Sequence, residues 1–355
     1  MEFEKLNGST MDLVWQHLGR PEFTIPNSWS KTIAELERKS PGIIPNVRNG
    51  SVLIITSDYS GQHKGSPYEV MSFLIADLEN SACWDTKRQY LRKMLLPNNR
   101  RMSFKGLNDK FKRNALASFL DASNDIHGII VTLAIDRQLP SLFTTGQKID
   151  MTAPECMEFT CFPTSTFERL LRIVDFVSLF LAGLSAPMQD VLWFSDEDEI
   201  VANEERIRIA TQIFGRIASH YLPHMLQHMR FGSTKCDDGS LRIEDFTSLP
   251  DLAAGAYAEY LTLHRKAGMQ LGLNILVPPP SNLSIKTRYI LSWLANPNFP
   301  LKKLAGLITQ GDKPGSMKTQ WFELNDVTSQ PSIVLSRKSL YKGSIFRSDY
   351  DTDRV

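Results

Sequence analysis

The strongest early apolar run is Val52-Leu53-Ile54-Ile55-Thr56-Ser57, which ends at Asp58. An unbroken apolar run bounded by turn residues predicts a strand buried on both faces. Residues 68–76 predict a second strand running into Asp77, and Met102 alternating with Phe104 predicts a short third strand over 101–105. The period then changes. After Asn108, residues Phe111, Ala115, Leu116, Phe119 and Leu120 fall on one helical face. Residues 128–135 predict a buried strand ending at Asp136, residues 138–165 a connection, and residues 167–184 a helix that is apolar almost all round. A short strand at 191–194 runs into the acidic stretch 196–199. Asn203, followed by Glu204 and Glu205, reads as a helix start, and Ile207, Ala210, Ile213, Phe214, Ile217, Ala218 and Tyr221 continue it as an amphipathic stripe. Residues 225–231 predict a strand. The last core helix is expected to begin near Pro250, with further helices near 285–295 and 301–309 and a polar tail.

Early strands followed by alternating helices and strands predict an α/β fold, a mixed sheet with helices on its faces. Residues 1–50, rich in turn formers, read as an N-terminal extension. Residues 51–268 read as the core domain, and residues 269–355 as a C-terminal helical extension with its tail.

Composition narrows the class. With 355 residues, 42% hydrophobic and 22% charged, the chain is neither disordered, collagen-like nor a disulfide-stapled module. Cys83, Cys156, Cys161 and Cys236 form no C-x-x-C pair and no zinc spacing, so free thiols are expected. The N-terminal residues lack the pattern of a signal peptide. The apolar stretch at 167–184 carries Glu168, Arg169, Arg172 and Asp175, which fits a buried helix and not a membrane span. A cytoplasmic location without membrane contact is the expectation.

The formal net charge of +1 argues against a simple polybasic coat for nucleic acid, but it hides a segregation. Residues 87–113 carry ten basic side chains and one acid, Asp109; residues 190–205 carry seven acids and no base. Lys87, Arg88, Arg92, Lys93, Arg100, Arg101 and Lys105, interleaved with Tyr90, Met94 and Phe104, are candidates for holding a nucleic-acid backbone. A solvated helix and loop surface is the plainer reading.

Candidate chemistry rests on carboxylates at element ends. Asp58 reads either as a ligand at the end of a central strand, where open α/β sheets place their sites, or as the start of the turn completed by Gly61. Asp251 reads either as a helix-borne ligand or, through the spacing from Ser248, as a helix cap. Asp196 and Glu197, in the acidic run, and Asp136 each follow a strand directly; a solvated loop is the alternative for the run. Together these oxygen donors suit Mg²⁺ or Mn²⁺, and two such ions about 4 Å apart can activate water against a phosphodiester. His220, His224 and His228 are spaced by four, but Pro223 interrupts them, and helix-end or surface roles fit better. His63 reads as a loop residue or a phosphate contact. No P-loop, G-x-G-x-x-G or G-x-S-x-G motif is present.

Asp58-Tyr59-Ser60-Gly61 resembles the D-[E]-S-G strand end of bacterial RNase H-like proteins of domain-of-unknown-function family 3800. Leu249-Pro250-Asp251-Leu252-Ala253-Ala254-Gly255-Ala256 is similar to that family's closing L-A-D-L-x-A-G-A helix, and Phe194-Ser195-Asp196-Glu197 resembles its D-E strand end. The likeness spans about residues 50–265. It implies an RNase H-like (ribonuclease H or RuvC type) fold and a metal-dependent nuclease, in a mobile-element or defence setting. Asp58 would bridge the metals and Asp196 and Asp251 would be ligands, with Asp136 or Glu197 completing the set. Tyr59 stands where an acid is commoner and Pro250 where Ala is. The alternative is a catalytically inactive RNase H-like scaffold that binds nucleic acid, or a protein through the C-terminal region.

Overall fold

The computed structural model describes residues 13–19, 24–63, 65–139, 159–196, 199–268, 274–277, 282–311 and 316–326. Helix α1 (Thr24–Lys39) precedes the antiparallel pair β1 (Val52–Ser60) and β2 (Tyr68–Asp77). Helices α2 (Ala82–Leu95) and α3 (Lys110–Ser123) follow, then β3 (Gly128–Asp136), α4 (Thr164–Leu184), β4 (Asp190–Ser195), α5 (Glu204–Tyr221), β5 (Met229–Ser233) and α6 (Arg242–Lys266). The chain closes with β6 (Asn274–Val277), α7 (Ile285–Leu294), β7 (Leu301–Gln310) and β8 (Met317–Asp326).

The strands form one mixed sheet in the order β5-β4-β1-β2-β3-β7-β8-β6. β1, β2 and β3 pair antiparallel in turn, β4 and β5 run parallel to β1 on its other side, and β7 runs parallel to β3. Successive residues of β1 serve opposite faces. Leu53, Ile55 and Tyr59 join a core built on α1, α4 and α5, while Ile54 joins a second core built on α2, α3, α6 and α7. The fold is therefore α/β, a mixed sheet with helices on both faces. Both cores draw on the central strands, which explains why β1, β2 and β3 read as unbroken apolar runs.

Several expectations are corrected. Residues 101–103 have no regular structure and Lys105–Asn108 is a short 3-10 turn, so no third hairpin strand exists there. β3 instead returns beside β2 after the α2–α3 helical pair. Asp109, not Asn108, caps α3, accepting from the Phe111 and Lys112 amides. The helix expected near 301–309 is β7, because Leu301 to Ile308 pairs with β3 and needs period two. β5 sits at 229–233, later than expected. The N-terminal stretch contains α1, which the turn formers around it disguise; Trp29 Nε1 donates to Thr319 Oγ1 at 2.7 Å and Trp321 Nε1 to Thr32 Oγ1 at 3.0 Å, tying α1 to β8. No described helix is long and apolar enough to cross a membrane.

Candidate functional site

Asp58 lies within β1, two residues beyond Thr56. Alternation sends Ser57 and Tyr59 to the α4 side, where the Tyr59 hydroxyl meets Ser57 Oγ at 2.8 Å and Trp193 Nε1 donates to Ser57 at 2.9 Å. Thr56 and Asp58 therefore face α6. β1 and β4 pair in parallel up to Ser57 opposite Ser195, and the Asp196 amide donates to the Ser57 carbonyl at 3.3 Å. Asp58 and Asp196 are the next residues along these two neighbouring segments, Asp196 lying just beyond the end of β4. Gly61 closes the turn with φ +80° and with a Cβ position only 2.1 Å from the Tyr68 carbonyl oxygen, so no other residue fits. The glycine of the Asp-Tyr-Ser-Gly stretch is thus a backbone requirement.

Helix α6 begins at Arg242, and Pro250 lies inside it. Proline has no N–H for the carbonyl four residues back. That carbonyl, on Phe246, instead accepts the Thr56 hydroxyl at 3.1 Å. One strand hydroxyl thereby satisfies the helix defect and pins α6 to β1 two residues before Asp58. Asp251 consequently lies in mid-helix and caps nothing, and Ser248 Oγ donates to the Asp245 carbonyl at 2.8 Å.

Asp251 accepts the Phe104 amide at 2.6 Å. Gly255, one turn on, makes this contact possible: a Cβ there would lie 2.3 Å from the Phe104 ring. The small residue on this side of the helix serves close approach. Lys286 of α7 holds the same residue from outside, donating to the Phe104 carbonyl at 3.0 Å with its ammonium 4.0 Å from the ring centroid. Burial pushes the Asp251 carboxyl up to about 6; the Phe104 N–H opposes the shift, the Asp196 charge adds to it, and Lys105 and Lys286 oppose it. The structure therefore brings Asp251 within electrostatic reach of Asp196, which itself adjoins Asp58. Crowded, buried carboxylates offer hard oxygen donors, chemistry that fits a divalent cation. Among the described residues, however, no three His, Cys, Asp or Glu side chains are grouped to hold one.

Other predicted residues lie elsewhere. Asp136 faces α6 at the far end of β3, four residues beyond Thr132, and Arg265 Nη1 binds it at 2.5 Å. Glu197 lies outside the described residues. Arg88 and Arg92 are not surface cations: both bind Asp245, a carboxylate with no solvent exposure, and Arg88 is itself 2% exposed. Lys87 pairs with Asp125, Arg100 with Asp109 and Arg101 with Glu244, while Lys93 and Lys105 are exposed. His224 contacts Ser185 at 3.0 Å and His228 contacts Asp190 at 2.9 Å, both beyond the end of α5, so the four-residue histidine spacing is not helical.

Thr56, Phe104 and Lys286 went unrecognised in the sequence. A proline inside a helix does demand a foreign donor, and Thr56, a hydroxyl following the apolar run of β1, was its signal. The Phe104 amide and Lys286 had none.

No family model matches the chain, so its likeness to family 3800 rests on the motifs quoted above. No curated protein matches it. Among solved structures it is similar to the ribonuclease H2 from Pyrococcus horikoshii OT3, with 12% identity over 68% of this chain and 85% of that one and a TM-score of 0.30, a likeness too distant to carry an argument.

Proposed function

We propose that the chain is an RNase H-like nuclease that hydrolyses phosphodiester bonds with Mg²⁺ or Mn²⁺ held by Asp58, Asp196 and Asp251. The observation that carries this reading is the juxtaposition of Asp58 and Asp196 on neighbouring segments, with Asp251 close enough to feel the Asp196 charge. Carboxylates brought close together raise one another's cost of ionisation, a cost that a bound cation would lower. A bound divalent ion would supply an activated water and stabilise the leaving oxygen. The chain's own part is to set the donors. β1 and β4 present two of them in parallel register, Thr56 and Pro250 fix α6 over them, and Phe104 orients the third. Lys105 stands near enough to contribute positive potential for a phosphate. The sheet order adds support, because an antiparallel meander flanked at its first strand by two parallel strands is an RNase H-like arrangement. Glu197, next to Asp196 in sequence, is a further donor in this reading.

A second reading has its own observation. The Asp251 carboxylate already accepts the Phe104 amide, and no described three-donor group exists. On that reading the chain is a non-catalytic scaffold that binds nucleic acid or a protein.

Cleavage of DNA and RNA with Mg²⁺ or Mn²⁺ separates them. Wild type should cleave, EDTA should stop it, and Asp58→Asn should lower the rate at least ~100-fold, the loss of a few kcal/mol of transition-state stabilisation. Calorimetric titration with Mn²⁺ provides a readout apart from activity: Asp196→Asn should weaken binding. Cleavage unchanged in Asp58→Asn would sink the nuclease assignment, and absence of both cleavage and Mn²⁺ binding in wild type would favour the scaffold.

A further inference from the structure

The helical pair α2–α3, inserted between two neighbouring strands, carries apolar side chains that its packing does not use. Tyr90 is 67% exposed, Met94, one turn on, 58%, and Phe111, in the first turn of α3, 48%. Trp84 and Leu91 face the core instead. Arg100 lies over the Phe111 ring, 4.4 Å from its centroid. Exposed bases lie in the same stretch of chain: Lys93, Lys105, Lys110 and Arg113, with Arg101 paired to Glu244. The placement of Lys110, Lys112 and Arg113 opposes the fold's own electrostatics. They occupy the first turn of α3, which contains no acid, at the positive end of the helix dipole, where each cation costs about 0.3–1 kcal/mol. Asp109 at the cap offsets part of that cost. An anionic partner would turn that cost into attraction.

We propose that the α2–α3 pair is a docking platform for single-stranded nucleic acid, with Tyr90 and Phe111 as stacking surfaces for bases and the surrounding lysines and arginines as contacts for phosphates. This rests on the nucleic-acid reading of the carboxylate site and deepens it. The choice of a single strand follows from the aromatics: only unpaired bases offer open faces to a protruding ring. The choice of a polyanion over a second copy of the chain follows from charge, because self-association through this patch would bring like charges together. The platform also connects to the carboxylates. The stretch joining α2 to α3 contains Phe104, whose amide holds Asp251, and Lys105, whose charge acts on it.

The test is binding of the full chain to a fluorescent dT oligonucleotide of about 20 nucleotides and to a duplex of equal length, by anisotropy in EDTA so that nothing is cleaved. Wild type should prefer the single strand. Tyr90→Ala and Phe111→Ala, both at exposed positions, should each weaken single-strand binding between about 5- and 100-fold while changing duplex binding less than about twofold. Lys93→Glu combined with Lys110→Glu should weaken both and flatten the salt dependence. Asp58→Asn should bind as wild type does. If it loses cleavage yet binds normally, both readings stand; if wild type never cleaves but shows the Tyr90 and Phe111 effects, the platform stands and the nuclease falls. Equal affinity for duplex, or a Tyr90→Ala/Phe111→Ala variant within twofold of wild type, would overturn the platform. So would failure of wild type to bind the oligonucleotide, and a dimer in sedimentation velocity that Tyr90→Ala dissolves would then identify a second copy as the occupant.

Discussion

Asp245 and Asp251 lie less than two turns apart on α6, the first fully buried and the second partly so, yet their surroundings are opposite. Asp245 receives a two-point contact from Arg92 and another bond from Arg88 at 3.1 Å. Asp251 receives one backbone amide, lies near another carboxylate, and has only lysines acting on it from a distance. The first is a closed ion cluster that fastens α2 to α6. The second lies beside the charge of Asp196, with Lys105 and Lys286 acting on it from a distance. Burial of a carboxylate therefore does not by itself mark a site; the charges around it do. Asp175 on α4 extends the series, since its partner is only the neutral Tyr221 hydroxyl, and burial pushes its carboxyl up to about 7.

The widest break in this comparison should come at Asp245. Replacing it with Ala leaves the Arg92 guanidinium without its carboxylate and Arg88 with Asp85 alone, and urea denaturation should show a loss of about 3–5 kcal/mol. The next effect is pH-dependent. Between about 4 and 7 the native state holds a proton on Asp175 that the unfolded chain releases near 3.8, so stability should fall as pH rises through this window. The change over the whole window should be on the order of 4 kcal/mol. Comparing urea midpoints at pH 5 and pH 8 checks it, and Asp175→Asn should remove most of the difference.

Gly255→Ala should cost about 1–3 kcal/mol, although alanine is the better helix former, because its methyl would enter the Phe104 ring. A gain in melting temperature would mean that Phe104 yields freely and does not orient Asp251. The smallest effect is expected at Asp251 itself. Asn can still accept the Phe104 amide and avoids ionisation in the interior, so Asp251→Asn should leave stability at pH 8 unchanged or raise it by up to about 1 kcal/mol. A drop like that of Asp245→Ala would make the two carboxylates equivalent and erase the distinction drawn here.

The central strands were legible because two-sided burial leaves a continuous apolar signature, and α3, α4 and α5 because their apolar stripes repeat at helical spacing. The α2 helix was not, since Arg88 and Arg92 occupy its inner face and read as surface charge; their partner Asp245 lies far away in sequence. β7 was misread because Lys302 and Lys303 interrupt its alternation. Of the site, Asp58, Asp196 and Asp251 were legible as strand-end or motif carboxylates. Their mutual position was not, because it depends on the β1–β4 register and on a helix that begins before its proline. Asp136 had the same local signature, but it lies four residues along β3 from the level of Asp58 and is held by Arg265.

The pairing of Gly128 with Leu301 carries a consequence for how the chain comes into being. During synthesis β1, β2 and β3 emerge well before the strand that covers the β3 edge, which is made only after α4, α5, α6 and α7. Until residues 301–308 leave the ribosome, β3 presents an open row of amides and carbonyls beside a large apolar surface, the kind of edge that recruits other chains. Trp29 on α1 waits likewise for Thr319. Production of this protein should therefore depend on protection of the unfinished chain, and truncation before β7 should yield aggregates in place of a smaller folded protein.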